Sequence, residues 1–131
     1  MATIVEFRLA QAQPANNLMP LPIGKRLFYY FPVPVLTGAD LDWAVPRKTG
    51  QGQPFVHIKF NQKGAQRLAE LTQRNKGRWL LITVNGNLEA GPRIGDPIDN
   101  GIIDMATNTD SEAARFAGEL NGSVHRETSL R

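Results

Sequence analysis

The residues equipped for chemistry are few and scattered. His57 and His125 are the only histidines, and the chain has no cysteine. A zinc site needs three or four ligands converging on one point, so two distant histidines without thiolates are poor material. His57 reads as a strand-face histidine and His125 as part of a polar tail. Asp96, Asp99, Asp104 and Asp110 are the candidates for a calcium or paired-carboxylate site. Their spacing lacks the alternating oxygen ligands, central glycine and closing glutamate of a calcium loop. Asp96-Pro97 and Asp99-Asn100-Gly101 read instead as turn formers, and Asp110 as a first-turn helix residue. Gly91-Pro92-Arg93-Ile94-Gly95 does not follow the order of a phosphate loop. No serine lies in a Gly-x-Ser-x-Gly elbow; Ser111 and Ser123 fall at a helix start and in the tail. The expectation is a non-enzymatic module with no catalytic residue, no metal ligand and no cofactor.

What remains is an aromatic strand, Leu27-Phe28-Tyr29-Tyr30-Phe31, followed by Pro32-Val33-Pro34. Alternate residues of a strand face opposite ways, so Leu27, Tyr29 and Phe31 share one face and Phe28 and Tyr30 the other. One face should be core. The other either is buried as well or presents aromatics to a partner, as protein interfaces often do. The expected polypeptide-binding residues are Phe28, Tyr30, Pro32, Val33 and Pro34. An extended client offers backbone groups and scattered apolar side chains, so its receptor needs an open apolar surface or a free strand edge. The two prolines interrupt regular pairing beside that strand. The expected partner is an unfolded polypeptide or another protein. A second class of function is a nucleic-acid-binding α+β domain, with Tyr29 and Phe55 as stacking residues beside Lys25 and Arg26. Charge favours it little: the formal net charge is +3. The densest cationic group, Arg74, Lys76 and Arg78, reads as a solvated helix end.

These segments need a scaffold, and a chain of 131 residues is the size of one domain with a real core. Val5, Phe7 and Leu9 alternate with Glu6 and Arg8, which predicts a half-buried strand over 4–9. Gln11 to Gly24, rich in Gln, Asn and Pro, reads as a loop. Strands are predicted over 25–31, 41–45, 55–60 and 102–106. Asn85-Gly86 joins strands 79–84 and 87–90 in a tight hairpin. A helix over 62–75 is capped by Asn61, with Ala65, Leu68, Ala69 and Thr72 on one face and Gly77 as its stop. A second helix, 110–121, opens on a Thr109/Glu112 capping box, carries Ala113, Phe116, Ala117 and Leu120, and ends at Gly122. The predicted class is α+β, with both helices on one face of a mixed or mostly antiparallel sheet of five to seven strands. The domain is expected to occupy 1–122, with 123–131 a disordered polar tail. No apolar run approaches the roughly 18–20 residues of a membrane span. The opening residues do not form a signal peptide. The compartment is therefore periplasm or cell envelope if a leader was removed, cytoplasm if Met1 is the native start.

The order of these segments resembles a known family. Val5-Glu6-Phe7-Arg8, Pro34-Val35-Leu36-Thr37-Gly38-Ala39-Asp40-Leu41 and Phe60-Asn61-Gln62-Lys63-Gly64-Ala65 come first. Leu68-Ala69-Glu70-Leu71-Thr72, Asn75-Lys76-Gly77 and the hairpin Val84-Asn85-Gly86-Asn87-Leu88-Glu89-Ala90-Gly91-Pro92 follow. Asp96-Pro97-Ile98 and the helix with Glu112-Ala113, Phe116-Ala117 and Leu120 complete the set. Together they resemble the head part of the first periplasmic domain of SecD, the accessory subunit of the Sec protein-export machine. The family usually has a Gly-Asn-aromatic stretch before the last helix; Ala106-Thr107-Asn108-Thr109 lacks the aromatic, so the packing there should differ. The resemblance implies an α+β head that holds a translocating polypeptide while membrane-embedded parts do the work. Having no membrane span, this chain alone is expected to hold or cap a partner without a motor.

Overall fold

The computed structural model describes residues 3–124. Nine strands and two α-helices form two antiparallel sheets around one core. The first sheet contains β1 (Val5–Gln11), β2 (Met19–Ile23), β3 (Arg26–Tyr30), β4 (Leu36–Thr37), β7 (Trp79–Val84) and β8 (Asn87–Ala90). Its order is β2-β3-β1-β7-β8, with β4 paired to β1 beyond the end of β3. The second sheet is β5 (Leu41–Lys48), β6 (Pro54–Phe60) and β9 (Ile102–Ala106), in the order β5-β6-β9. The α+β class and the antiparallel pairing agree with the sequence reading. The single sheet of five to seven strands does not: a short 3-10 turn, Gly38–Asp40, carries the chain from β4 in one sheet to β5 in the other.

β1 is the pattern in its simplest form. Val5, Phe7 and Leu9 are buried in the core, and Glu6 and Arg8 lie on the opposite face. β7 delivers Leu80, Ile82 and Val84, and β6 delivers Val56, Ile58 and Phe60 to the same core. Phe7 and Phe60 bring the two sheets into contact, their ring centroids 5.6 Å apart. The helices supply the rest. In α1 (Gln62–Arg74), Leu68 and Thr72 are buried and Ala65 is partly so. In α2 (Asp110–Gly122), Ala113, Phe116, Ala117 and Leu120 are buried. Burying a large apolar side chain of this kind stabilises by about 1.5–3 kcal/mol.

The termini of the helices follow their sequence signals closely but not in every detail. Asn61 caps α1 by accepting from the Gly64 N–H (2.9 Å). The helix stops at an Asn75 cap, with Gly77 two residues on in the left-handed region (φ 90°). At α2, Thr109 accepts from the Glu112 N–H (3.0 Å), but the Glu112 carboxylate reaches past it to the Asn108 N–H (3.0 Å). Gly122 is the last helical residue, with Ser123 as the cap. Ser123, expected in the polar tail, is buried: its Oγ donates to the Leu120 carbonyl (2.7 Å), and Gly38 packs directly against it. The rest of that tail, including His125, lies outside the described residues.

Prolines hid one strand and the end of another. The stretch read as a loop from 11 to 24 contains β2, Met19-Pro20-Leu21-Pro22-Ile23, paired along its length with β3. Proline cannot donate to a ladder and is tolerated only where its nitrogen faces away from the partner strand. The two-residue turn Gly24-Lys25 makes Ile23–Arg26 the closing pair of the hairpin. Alternation then assigns the bonded pairs to Leu21–Phe28 and Met19–Tyr30, and leaves Pro20 and Pro22 facing outward. β5 likewise runs three residues further than expected, through Pro46 to Lys48.

Candidate functional site

Side chains of directly paired residues point the same way. The register of the first sheet therefore defines its outer face, opposite Phe7 and Ile82. Glu6 pairs with Thr83, Arg8 with Leu81, and Ala10 with both Trp79 and Tyr30. Tyr30 pairs with Met19, Phe28 with Leu21, and Thr83 with Leu88. All of these share the outer face. Ala10, Phe28 and Leu81 are buried there without belonging to the core. The first sheet thus has an apolar layer on the side away from the core.

That layer is open. A cleft of about 580 Å3 is lined by Met19, Leu21, Tyr30, Leu81 and Leu88, with Pro32 beside them. A second, of about 280 Å3, continues it past Leu81 and Leu88 to Ile23, Phe28 and Trp79. Met19, Ile23 and Leu88 are exposed. Phe28 is 7 % exposed and packs edge-on against Trp79, centroids 5.0 Å apart, with the Arg26 guanidinium 4.8 Å from its ring. Tyr30 is half-buried.

Pro32, Val33 and Pro34 form a loop beside this groove. Phe31 N–H donates to the Leu9 carbonyl (2.9 Å) and Val35 N–H to the Phe7 carbonyl (2.8 Å). Four residues of one strand thus span two of the other, and the excess is expelled outward. Val33 is 74 % exposed as a result. The loop is held: Arg8 Nε donates to the Pro32 carbonyl (3.0 Å), and Arg8 in turn pairs with Glu6 (3.2 Å). Phe28, Tyr30 and Pro32 are thereby brought to one groove; Val33 and Pro34 lie in the adjoining loop. Met19, Leu21, Ile23, Leu81 and Leu88 are groove residues that the sequence reading missed. The missed signal was Met19-x-Leu21-x-Ile23, a period-two apolar pattern with proline in the alternate places.

The other candidates stay apart. Tyr29 and Phe55 sit in different sheets and make no common stacking surface. His57 Nδ1 lies 2.6 Å from Asp104 across the β6–β9 pair, with Trp43 stacked on the imidazole at 5.6 Å. Asp110 pairs with Lys48 at the surface (3.0 Å). Asp96 and Asp99 are exposed in their loop, and Ser111 is exposed in the first turn of α2. Among the described residues, no three of His, Asp and Glu gather as metal ligands.

Comparison with known proteins bears on the whole fold. The family model of the SecDF P1 head subdomain matches residues 17–124. Protein translocase subunit SecD of Acidaminococcus fermentans is 38 % identical over 86 residues, covering 66 % of this chain and 21 % of that protein. Protein translocase subunit SecD of Rhodobacter capsulatus is 31 % identical over 112 residues, covering 80 % of this chain and 20 % of that protein. A crystal structure of SecDF in its super-membrane-facing form superposes with a TM-score of 0.72 at 24 % identity. It aligns over 93 % of this chain and 19 % of that one. The chain thus spans about a fifth of the length of the curated relatives it matches. The family model covers most of the chain, and the fold agrees with it: the chain belongs to the SecDF P1 head subdomain family.

Proposed function

We propose that this chain is a non-enzymatic head that binds an extended polypeptide in the groove across the outer face of its first sheet. The observation that carries the reading is the apolar layer of Phe28, Tyr30, Leu81 and their neighbours. It is separate from the core and open to solvent. A receptor for many clients needs an apolar surface with little charge-specific readout; at the Tyr30 end Met19, Leu21, Leu81 and Leu88 supply that surface, and the two charges that line it, Glu6 and Arg8, are paired with each other. Edge pairing is the less favoured mode on the β2 side, because Pro20 and Pro22 offer no donor to an added strand. The relatives are named as protein translocase subunits, and one solved relative is described as a membrane component that enhances protein export. In keeping with those descriptions, the proposed client is a polypeptide in export and the proposed compartment is the periplasm. No helix of the described residues is long and apolar enough to cross a membrane.

The test is capture of an unfolded test polypeptide by the wild-type chain and by Tyr30→Ala, read by fluorescence anisotropy. The expected outcome is weaker capture by the variant at nearly unchanged melting temperature. Unfolding of Tyr30→Ala would reject the groove, as would intact stability with intact capture. Tight, salt-sensitive binding of single-stranded oligonucleotides would favour the nucleic-acid alternative.

A further inference from the structure

Lys76 and Arg78, which the sequence suggests are a solvated helix end, meet Arg26 and Arg93 around a polar cleft of about 540 Å3. The four cations come from the start of β3, the α1–β7 connection and the segment after β8. Neutral partners hold three of them in place. Arg78 donates to Gln11 Oε1 (3.0 Å) and Asn75 Oδ1 (2.8 Å). Arg93 Nε donates to the Gly77 carbonyl (3.3 Å), and its guanidinium lies 5.0 Å from the Trp79 ring centroid. Arg26 lies 4.8 Å from the Phe28 centroid and 5.8 Å from that of Trp79. Among the described residues, no carboxylate lines the cleft, and none of the four cations is in an ion pair. These four charges, three of them oriented, exceed the chain's whole formal excess of +3. Such a cleft focuses a positive potential on whatever enters it.

The cleft is continuous with the apolar groove. Trp79 lines both, and Phe28, beneath Arg26, lines the groove. We propose that the cleft receives the acidic side chains of the bound polypeptide. The preferred client is then an extended segment whose apolar residues lie along Leu81, Leu88 and Phe28 and whose Asp or Glu residues reach Arg26 and Arg93. This rests on the reading of the groove as a polypeptide site. A guanidinium fork meets a carboxylate with two parallel hydrogen bonds. Stacking of nucleic-acid bases is the poorer fit, because two guanidiniums already lie against Trp79 and bases need a free aromatic face.

The test compares a short apolar peptide carrying a run of Glu at one end, placed in turn at either end, with its Gln and Lys counterparts. Binding to the full chain is read by anisotropy at low and at physiological salt. The Glu peptide in one of its two orientations should bind about tenfold tighter than the Gln peptide at low salt, and salt should shrink that preference. Arg93→Glu should abolish the preference for Glu and favour the Lys peptide. Arg26→Gln, which leaves the Gly77 contact intact, should reduce the same preference. The melting temperature of each variant serves as the control for folding. Equal binding of Glu and Gln peptides would overturn this inference and leave the groove standing. Failure of every peptide to bind would overturn both. Displacement of the Glu peptide by inorganic phosphate or an oligonucleotide at lower concentration than by unlabelled Glu peptide would make the cleft a phosphate site and overturn the proposal.

Discussion

Phe7, Phe28 and Tyr30 are aromatic residues of one sheet in three different surroundings, and the same truncation should cost each a different amount. Phe7 is fully buried between the sheets against Phe60. Phe7→Ala removes a ring from a closed core and should cost about 3–5 kcal/mol. Phe28 is buried on the outer face, where the vacated space opens to water, so Phe28→Ala should cost about 2 kcal/mol. Tyr30 is half-buried and lines the groove; Tyr30→Ala should cost less than about 1 kcal/mol. Urea midpoints of the three variants check the order, and a Tyr30→Ala cost equal to that of Phe7→Ala would place Tyr30 in the core. His57 and Asp104 also show what surroundings decide. Their cross-strand contact, with Trp43 stacked on one side, resembles half of a catalytic triad in distance alone. On an open sheet face such a pair contributes about 0.2–1 kcal/mol to strand pairing.

Two helical glycines make opposite predictions. A Cβ on Gly64 would collide with the backbone carbonyl and Cβ of Asp40, because α1 begins pressed against the 3-10 turn. That turn is fastened to the helix: Asn61 N–H donates to the Asp40 carbonyl (2.9 Å), Asn61 Nδ2 to the Ala39 carbonyl (2.8 Å) and Arg67 to the Asp40 carboxylate (3.3 Å). Gly64→Ala should therefore destabilise by about 2 kcal/mol or more. Gly118 in α2 is exposed and has nothing near its missing Cβ. Gly118→Ala should stabilise by about 0.5–1 kcal/mol through helix propensity. Thermal melts of both variants decide it, and the same sign for both would refute the packing argument. In the last turn of α2, Asn121 holds an open strand edge. Its Oδ1 accepts from the Ala44 N–H and its Nδ2 donates to the Ala44 carbonyl, both at 2.8 Å, in the manner of a neighbouring strand. Asn121→Ala should cost about 2 kcal/mol, the net worth of two hydrogen bonds. It should also free the edge of β5 for pairing between molecules. Light scattering against concentration would show that association, and a variant that remains monodisperse would argue against the capping role. Arg115 ties the same helix to β8: its guanidinium is held above its ordinary value first by the hydrogen bond to Glu89, then by the charges of Glu89 and Glu119.

At the scale of the molecule, the two sheets share a core and should unfold together. The two tryptophans report on them separately, Trp79 in the first sheet and Trp43 in the second. Trp43→Phe and Trp79→Phe leave one reporter each, and both should lose fluorescence signal at the urea concentration where far-ultraviolet circular dichroism is lost. Midpoints that separate would mean that the β5-β6-β9 sheet opens independently. The outer groove lies on the first sheet alone, so cooperative unfolding would also mean that the groove is backed by the full stability of the domain.

Elements whose buried residues recur at a regular period were legible from the chain alone. β1, β6, the 79–90 hairpin, both helices and the Asn61 and Thr109 caps rest on local rules: side-chain alternation, helical periodicity and the chemistry of Asn-Gly turns. The family could be read too, since it lies in the order of short motifs. The proline-bearing strand β2 was not legible, because proline forbids a central strand and permits an edge one, and only the partner strand distinguishes the two. The division into two sheets was hidden for a related reason: no local pattern says which strands bond to which. The same holds for the site. Alternation placed Phe28 and Tyr30 on one face but was silent on what lay over it. Register put Met19, Leu21, Leu81 and Leu88 on that face, and the contact of three chain segments assembled Arg26, Lys76, Arg78 and Arg93. Periodicity reports which side chains share a face; only long-range pairing determines whether that face meets the core, solvent or a groove.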